Sequence, residues 1–171
     1  MSKYSPVLLV LCVSLALGAC SSDGTTELAR YPVDGLDGLV TRSGIVFDTG
    51  VTSDGNGSIR ISARQSTTIR LYETGDVDVE NARLIYRAKL RAENIRGRAY
   101  LEMYCHFDGK GDFFSRDLET PVAGTTAWVT EETFFFLQPG QNPDSVKLNI
   151  VIEGEGTVWI DDIRLVKGPL K

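Results

Sequence analysis

Two segments in the middle of the chain alternate apolar and polar residues, and this pattern limits the folds available to it. One runs from Arg83 to Ala92 and the other from Arg98 to Phe107. Because successive residues of a β-strand point to opposite faces, such alternation is typical of strands with one face buried in a core. Each of these segments therefore needs a sheet around it and a second layer to cover its apolar face.

The rest of the sequence repeats this pattern between turn residues. Many short strands with Gly/Pro turns predict an all-β, antiparallel sandwich or barrel in a single domain. The further predicted strands are Leu39 to Asp48, Ser58 to Ala63, Thr67 to Glu73, Ala127 to Leu137, Ser145 to Glu153 and Thr157 to Val166. The predicted turns and loops are Asp54 to Gly57, a hairpin at Glu93 to Gly97, the segment Asp108 to Leu118, Gln138 to Asp144 and a hairpin at Gly154 to Gly156.

Two segments resemble a known fold family. DGNGSIRI (Asp54 to Ile61) resembles the opening turn and strand of galactose-binding-like jelly rolls, and GTVWIDDIRL (Gly156 to Leu165) resembles their closing strand. Carbohydrate-binding modules of the jelly-roll class share both segments. The resemblance implies a jelly-roll β-sandwich over residues 31–171 and a sugar-binding role, although a fold does not fix a function.

The N-terminus resembles a bacterial lipoprotein signal. A short apolar stretch from Val7 ends in Leu17-Gly18-Ala19 before Cys20, as in a lipobox. The resemblance implies cleavage after residue 19, lipidation of Cys20 with fatty acyl chains such as palmitate, and membrane anchoring. It implies the outer membrane for a Gram-negative source, because no Asp follows Cys20. The polar residues 20–30 then predict a flexible tether. A buried helix or an uncleaved anchor is the alternative.

The composition excludes two classes of binding partner. The formal net charge is −5, and loss of Lys3 with the signal would make the mature chain more acidic. This argues against nucleic acid and against electrostatic binding to anionic lipid, which both depend on Lys and Arg. Of the three cysteines, only Cys105 would remain free. It lies beside His106, but in a strand the two side chains diverge, so a buried, unreactive thiol is favoured over a nucleophile.

The polar face of the predicted sheet is the candidate ligand site. If the strands share one sheet, its outer face gathers tyrosines with flat rings and side chains that form hydrogen bonds with vicinal hydroxyls, as a glycan or polyol requires. The alternative is a solvated face stabilised by cross-strand pairs. The candidate residues are Arg87, Lys89, Tyr100, Glu102, Tyr104, His106, Lys147 and Asn149.

Three aromatic residues have two interpretations each. Trp128 is a candidate ligand-stacking residue, although burial in the core is favoured because Trp is usually mostly buried. Phe113 and Phe114, in the predicted loop, either form an aromatic rim or fold back onto the core.

The resemblance also implies a structural calcium ion held by Asp161 or Asp162 of the closing strand, with Asp48 or Asp54 as partners. Calcium takes several oxygen ligands, and adjacent strand residues point apart, so one Asp at most would serve. The alternative is an Asp that caps backbone amides or pairs with Arg164. A zinc site is not expected with one His and one free Cys.

No catalytic motif accompanies these features. Glu102 and Glu132 are a conceivable glycosidase pair by face, without further support. The sequence therefore predicts a non-catalytic lipoprotein that binds a glycan or polyol at the cell envelope. A protein-interaction module that uses the same face or the Phe113-Phe114 segment is the alternative, and a glycan-active enzyme is the third.

Overall fold

The computed structural model describes residues 24–170, so the signal sequence, Cys20 and the first part of the tether lie outside the described residues. Eight strands form one antiparallel hydrogen-bonded sheet. They are β1 (Thr26–Tyr31), β2 (Ile45–Asp48), β3 (Ser58–Ala63), β4 (Thr67–Thr74), β5 (Ala82–Phe107), β6 (Gly111–Arg116), β7 (Val122–Leu137) and β8 (Ser145–Gly168). Within the described part, no helix is long and apolar enough to cross a membrane.

The strands β5 and β8 organise the molecule. They pair from Arg83 opposite Gly168 to His106 opposite Ser145, with a register shift between Glu93 and Arg96. Residues 82–93 of β5 and 157–168 of β8 lie with β1, β2, β3 and β7, which we call the back sheet. Residues 98–107 of β5 and 145–153 of β8 lie with β4 and β6, which we call the front sheet.

The two sheets enclose one core. In the back sheet the β5 residues that belong to the apolar core are even-numbered, such as Leu90 and Ala92, whereas in the front sheet they are odd-numbered, such as Leu101 and Met103. All four belong to the same apolar cluster. The register shift therefore turns the apolar face of β5 toward the same interior on both sides of the bend. The predicted all-β, jelly-roll β-sandwich is confirmed.

The predicted turns at Glu93 to Gly97 and at Gly154 to Gly156 are not hairpins. Gly97 lies opposite Gly154 inside the continuous β5–β8 pair. Both glycines have φ above +100°. They mark the bend at which two long strands pass from one sheet to the other, because glycine tolerates this backbone conformation.

Two further boundaries differ from the predictions. Strand β1 begins at Thr26 and pairs with β8, so ordered structure starts inside the predicted tether of residues 20–30, before the predicted domain start at residue 31. The predicted loop Asp108 to Leu118 contains β6, which pairs with β5. In both segments cross-strand pairing with a long central strand supplies order that the local composition does not indicate.

Candidate functional site

The predicted ligand residues lie on two different outer faces. Because β5 bends at Gly97, Arg87 and Lys89 lie on the back sheet, whereas Tyr104 lies on the front sheet. The prediction of one shared face is therefore wrong. The front sheet carries Tyr100, Glu102, Tyr104 and His106 of β5 beside Lys147 and Asn149 of β8, and Trp128 lies on β7 of the back sheet.

The front face has a polar row at its centre. Glu102 lies between Asn149 of β8 and Arg116 of β6 in the register of the sheet. Asn149 Nδ2 donates to Glu102 Oε1 at 3.0 Å, and Arg116 Nε donates to Glu102 Oε2 at 2.5 Å. The Glu102 side chain is only 4% exposed. Asn149 Oδ1 is also buried and has no hydrogen-bond partner in residues 24–170.

Ion pairs and hydrogen bonds also surround this row. The Tyr100 hydroxyl donates to Glu153 at 2.8 Å, and Arg98 donates to the same carboxylate. Burial and the neighbouring carboxylate raise the pKa of Tyr100 to about 12. His106 Nδ1 lies 2.6 Å from Asp144. These pairs match the alternative interpretation, a sheet face stabilised by cross-strand contacts, for most of the candidate residues.

Two aromatic rings remain accessible beside the polar row. The rings of Tyr104 and Phe114 lie 5.7 Å apart in a tilted arrangement, and the Arg116 guanidinium lies 4.4 Å from the Phe114 ring centre. Phe114 is 55% exposed. Lys147 lies next to Tyr104 in the register. We call Tyr104, Phe114, Arg116, Glu102, Lys147 and Asn149 the tyrosine face.

Sequence reasoning missed Arg116 and left Phe113 and Phe114 without a fixed position. Phe114 points to the tyrosine face, and Phe113 stacks edge-on against Phe107 with ring centres 5.8 Å apart. Both phenylalanines are about half exposed, so they form a rim at the edge of the sandwich. The signal that could have placed them is the short alternation in GDFFSR, which the flanking glycines and aspartates obscured.

The outer face of the back sheet is rich in arginine. Arg87 contacts Glu132 of β7, and Arg164 pairs with Asp162 at 2.9 Å. Trp128 is half-buried rather than in the core, because Val129, not Trp128, packs toward the interior opposite Leu90. Glu102 and Glu132 lie on different sheets, each bound to an arginine, so they do not form the carboxylate pair of a glycosidase.

The two aspartates of the closing strand have separate partners. Asp161 is fully buried, and its carboxylate accepts the backbone N–H groups of Ser53 at 2.9 Å and Asp162 at 2.7 Å. Asp162 turns to Arg164 and Arg30. Within residues 24–170 no group of three or more His, Cys, Asp or Glu side chains converges on a common point. These side chains do not provide the carboxylate-rich set that calcium prefers, so the calcium site stays a prediction.

Cys105 is buried and unpaired within the described chain. Burial raises the pKa of its thiol to about 12. Its neighbour His106 lies on the opposite face of β5 and contacts Asp144. The thiol is therefore protonated at neutral pH and lacks a nearby base, as expected for a small apolar residue of the core.

A buried carboxyl group lies beneath the loop that joins β6 to β7. Glu131 is 7% exposed, and Thr120 Oγ1 lies 3.4 Å from its Oε2. Burial and the neighbouring carboxylate of Asp117 raise the pKa of Glu131 to about 7. Its folded-state pKa therefore exceeds its unfolded value, and the folded protein binds more protons between pH 4.5 and pH 7.

We expect the free energy of unfolding to fall by about 1–2 kcal/mol as the pH rises from 5 to 8, because ionised Glu131 is disfavoured in the fold. Glu131→Gln should remove this decrease and make the variant more stable than the wild type at pH 8. Urea unfolding at the two pH values measures the difference, with the exposed Glu119→Gln as the control. An equal decrease in Glu131→Gln would contradict this assignment.

No protein-family model and no curated protein matches the sequence. Solved structures do match. The second family 16 carbohydrate-binding module superposes with a TM-score of 0.57 and 12% identity, over 77% of this chain and 92% of that chain. The chain shares the β-sandwich fold of carbohydrate-binding modules.

Two family 22 modules match over more of the chain. The CBM22-1 xylan-binding domain of Paenibacillus barcinonensis Xyn10C has a TM-score of 0.59 and 15% identity, over 87% of this chain and 99% of that one. The C-terminal family 22 module of Clostridium thermocellum Xyn10B has a TM-score of 0.55 and 11% identity, over 89% and 99%. Both cover almost the complete module, so the resemblance extends through both sheets.

Proposed function

We propose that this protein is a non-catalytic glycan-binding module and that the tyrosine face is its binding surface. The observation that carries the proposal is the accessible pair Tyr104 and Phe114, which lies beside a row of polar side chains already fixed by hydrogen bonds. The fold shared with carbohydrate-binding modules supports the same class of ligand.

Each part of the face has a role in this proposal. The rings of Tyr104 and Phe114 offer flat apolar area to the face of a sugar ring. Arg116 and Lys147 supply N–H donors for hydroxyl oxygens. Glu102, itself fixed by the Asn149 amide, holds Arg116 in place, so that little side-chain entropy is lost when a ligand binds. Polar pairs flank the rings on both sides, Glu102 with Arg116 and His106 opposite Asp112, and would orient an extended oligosaccharide across the strands.

The lipobox resemblance supports a membrane location for this module. Lipidation at Cys20 would hold the module at the bacterial outer membrane, with no more than a few residues between Cys20 and β1. The module would then capture glycan close to the membrane surface. More than one acyl chain makes such anchoring stable.

A specific feature favours protein docking as the second candidate function. Phe113, Phe107 and Phe135 line a small apolar cleft at the edge of the sandwich, with Lys110 and Gln141 at its border. Phe113 is 48% exposed. An apolar side chain of an envelope protein would fit this cleft, and crosslinking from position 113 would then trap one dominant protein.

The glycan proposal is tested by binding of xylan oligosaccharides and of a wider glycan array. Tyr104→Ala and Phe114→Ala are each expected to weaken binding at least about tenfold, because each removes a ring on which the sugar stacks. Thermal unfolding of Phe114→Ala should change little, since that ring is mostly exposed.

Phe136→Ala is the matched control, because Phe136 lies on the back sheet and is 55% exposed, like Phe114. It should bind as the wild type does. Glycan binding that survives in both Tyr104→Ala and Phe114→Ala would place the site elsewhere. A folded protein that binds no glycan on the array would favour the docking function.

A further inference from the structure

The outer face of the back sheet separates positive charge from the rest of an acidic protein. The chain as a whole has a formal net charge of −5. On this face basic residues outnumber acidic ones in the cross-strand register of β1, β3, β5, β7 and β8. The basic residues are Arg30, Arg60, Arg83, Arg87, Lys89, Arg91 and Arg164, and the acidic ones are Glu27, Asp48, Glu93, Glu132, Asp162 and the buried Asp161, which lies opposite Lys89.

Three of these cations form no ion pair within residues 24–170. Arg83 lies over Phe134 at 5.0 Å, and Arg91 lies over Trp159 at 5.6 Å, while Lys89 lies between the arginines in the sequence of β5. Side chains four residues apart on a strand are separated by about 13 Å, so Arg83, Arg87 and Arg91 form a line along β5. The line forms a positive track in which Arg87 is paired with Glu132, whereas Arg83, Lys89 and Arg91 have no ion pair within residues 24–170.

A depression interrupts this track at its middle. It is lined by Arg87, Ala88, Lys89, Thr130, Glu132, Asp162 and Arg164. The register of β5 and β8 shifts between Arg87 and Lys89, and Asp162 has a φ of 46°. Two residues of β8, Asp162 and Ile163, therefore oppose the single β5 residue Ala88 in a β-bulge, and the depression lies at this bulge.

The lining of the depression combines two kinds of group. Lys89 attracts an anion and forms no ion pair within residues 24–170, whereas Arg87 contacts Glu132 through Nε and Arg164 pairs with Asp162. The terminal N–H groups of Arg87 that this contact leaves free can donate to a carboxylate. Glu132, Asp162 and Thr130 can accept hydrogen bonds from hydroxyl groups. Two residues along β7 from Thr130, the half-buried Trp128 offers a ring on the same face. One ligand class carries an anion, several hydroxyls and a flat apolar ring face together, namely an acidic sugar.

We propose that the depression of the back sheet binds the carboxylate of a uronic-acid-containing glycan, with Lys89 and Arg87 as its anion-binding residues. This second site extends the proposed glycan-binding function to a different face and to a charged ligand. Glu132 and Asp162 would repel a continuous anionic surface such as a phospholipid membrane, whereas a single carboxylate flanked by hydroxyls fits between them.

The test measures binding of trigalacturonate and of its methyl-esterified, uncharged form to the full chain by calorimetry at low and high salt. We expect trigalacturonate to bind at least about tenfold more tightly than the ester, and its affinity to fall with ionic strength. Lys89→Glu should lose at least about tenfold of this affinity, and Lys89→Gln should lose less. Lys110→Glu, an equal charge change at an exposed lysine in the turn between β5 and β6, should have no effect.

Variants of each site distinguish binding at the tyrosine face from binding at the depression. Tyr104→Ala should bind trigalacturonate as the wild type does. Loss of neutral glycan binding at the tyrosine face therefore leaves binding at the depression measurable, and loss of binding at the depression leaves the tyrosine face measurable. The proposal is overturned if trigalacturonate does not bind at low salt, or if Lys89→Glu and Lys89→Gln bind it unchanged. Lys89-dependent binding of phosphatidylglycerol vesicles without trigalacturonate binding would overturn it in favour of a membrane-facing surface.

Discussion

Gly97→Ala is expected to lower the free energy of unfolding by at least about 3 kcal/mol. Gly97 has a φ of 121°, where a residue with a Cβ is strained. A Cβ at this position would also lie 1.9 Å from the carbonyl oxygen of Glu153 on β8. The backbone of β8 cannot move away from this contact without breaking the β5–β8 pairing, which runs through both sheets.

The opposite glycine should behave in the same way. Gly154 has a φ of 111°, and a Cβ there would lie 1.9 Å from the carbonyl oxygen of Arg96. The control is Gly124→Ala, at a φ of 65° with no atom within 4 Å of the added carbon, which should cost only about 1 kcal/mol. Urea unfolding measures all three variants. Similar losses for Gly97→Ala and Gly124→Ala would mean that the bend relaxes easily.

Alternation of apolar and polar residues made the fold predictable from the sequence, but it did not show how the strands are connected. Alternation at Leu84 to Ala92 and at Ala99 to Phe107 identifies the buried face of each segment correctly. It does not specify how the segments are joined, because a hairpin and a bend both need glycine and polar residues. Gly97 and Gly154 were therefore assigned to turns, whereas they form one bend in a paired ladder.

The bend, which the sequence interpretation took for hairpins, divides the candidate site between two sheets. With a hairpin at residues 93–97, the polar residues before and after it would lie on neighbouring strands of one sheet. With a bend, Arg87 and Tyr104 lie on opposite sheets. The residue types suited to ligands were predictable, but their grouping depends on pairing between residues far apart in the sequence, which a single sequence does not contain.

The sequence left a structural alternative open for both the calcium site and the ligand face. The structure pairs Asp162 with Arg164 and uses Asp161 to cap backbone amides, as the alternative to calcium required. On the tyrosine face Glu102 is bound by Asn149 and Arg116, while the rings of Tyr104 and Phe114 and the N–H groups of Arg116 not used in that pair remain for a ligand. A face can therefore be a structural network and a binding surface at once, with different atoms for each role.

Arg116→Met should lower the free energy of unfolding by about 2 kcal/mol at neutral pH. Glu102 is 4% exposed, and Arg116 is its only ion-pair partner in residues 24–170. Without the guanidinium, a buried carboxylate keeps only the Asn149 amide as a hydrogen-bond donor among the side chains of the row. The loss is smaller than for a fully buried pair, because Arg116 is 35% exposed and water can partly replace it.

Arg96→Met is the matched control for this prediction, because Arg96 pairs with Glu155 at 3.0 Å while the two side chains are 83% and 49% exposed. An exposed pair contributes little, so a change below about 0.5 kcal/mol is expected. Urea unfolding of the two variants compares a buried arginine–glutamate pair between β5 and β6 with an exposed one between β5 and β8. A result in which Arg116→Met unfolds as the wild type does would mean that Glu102 is hydrated in solution, and that the polar row does not hold the tyrosine face rigid.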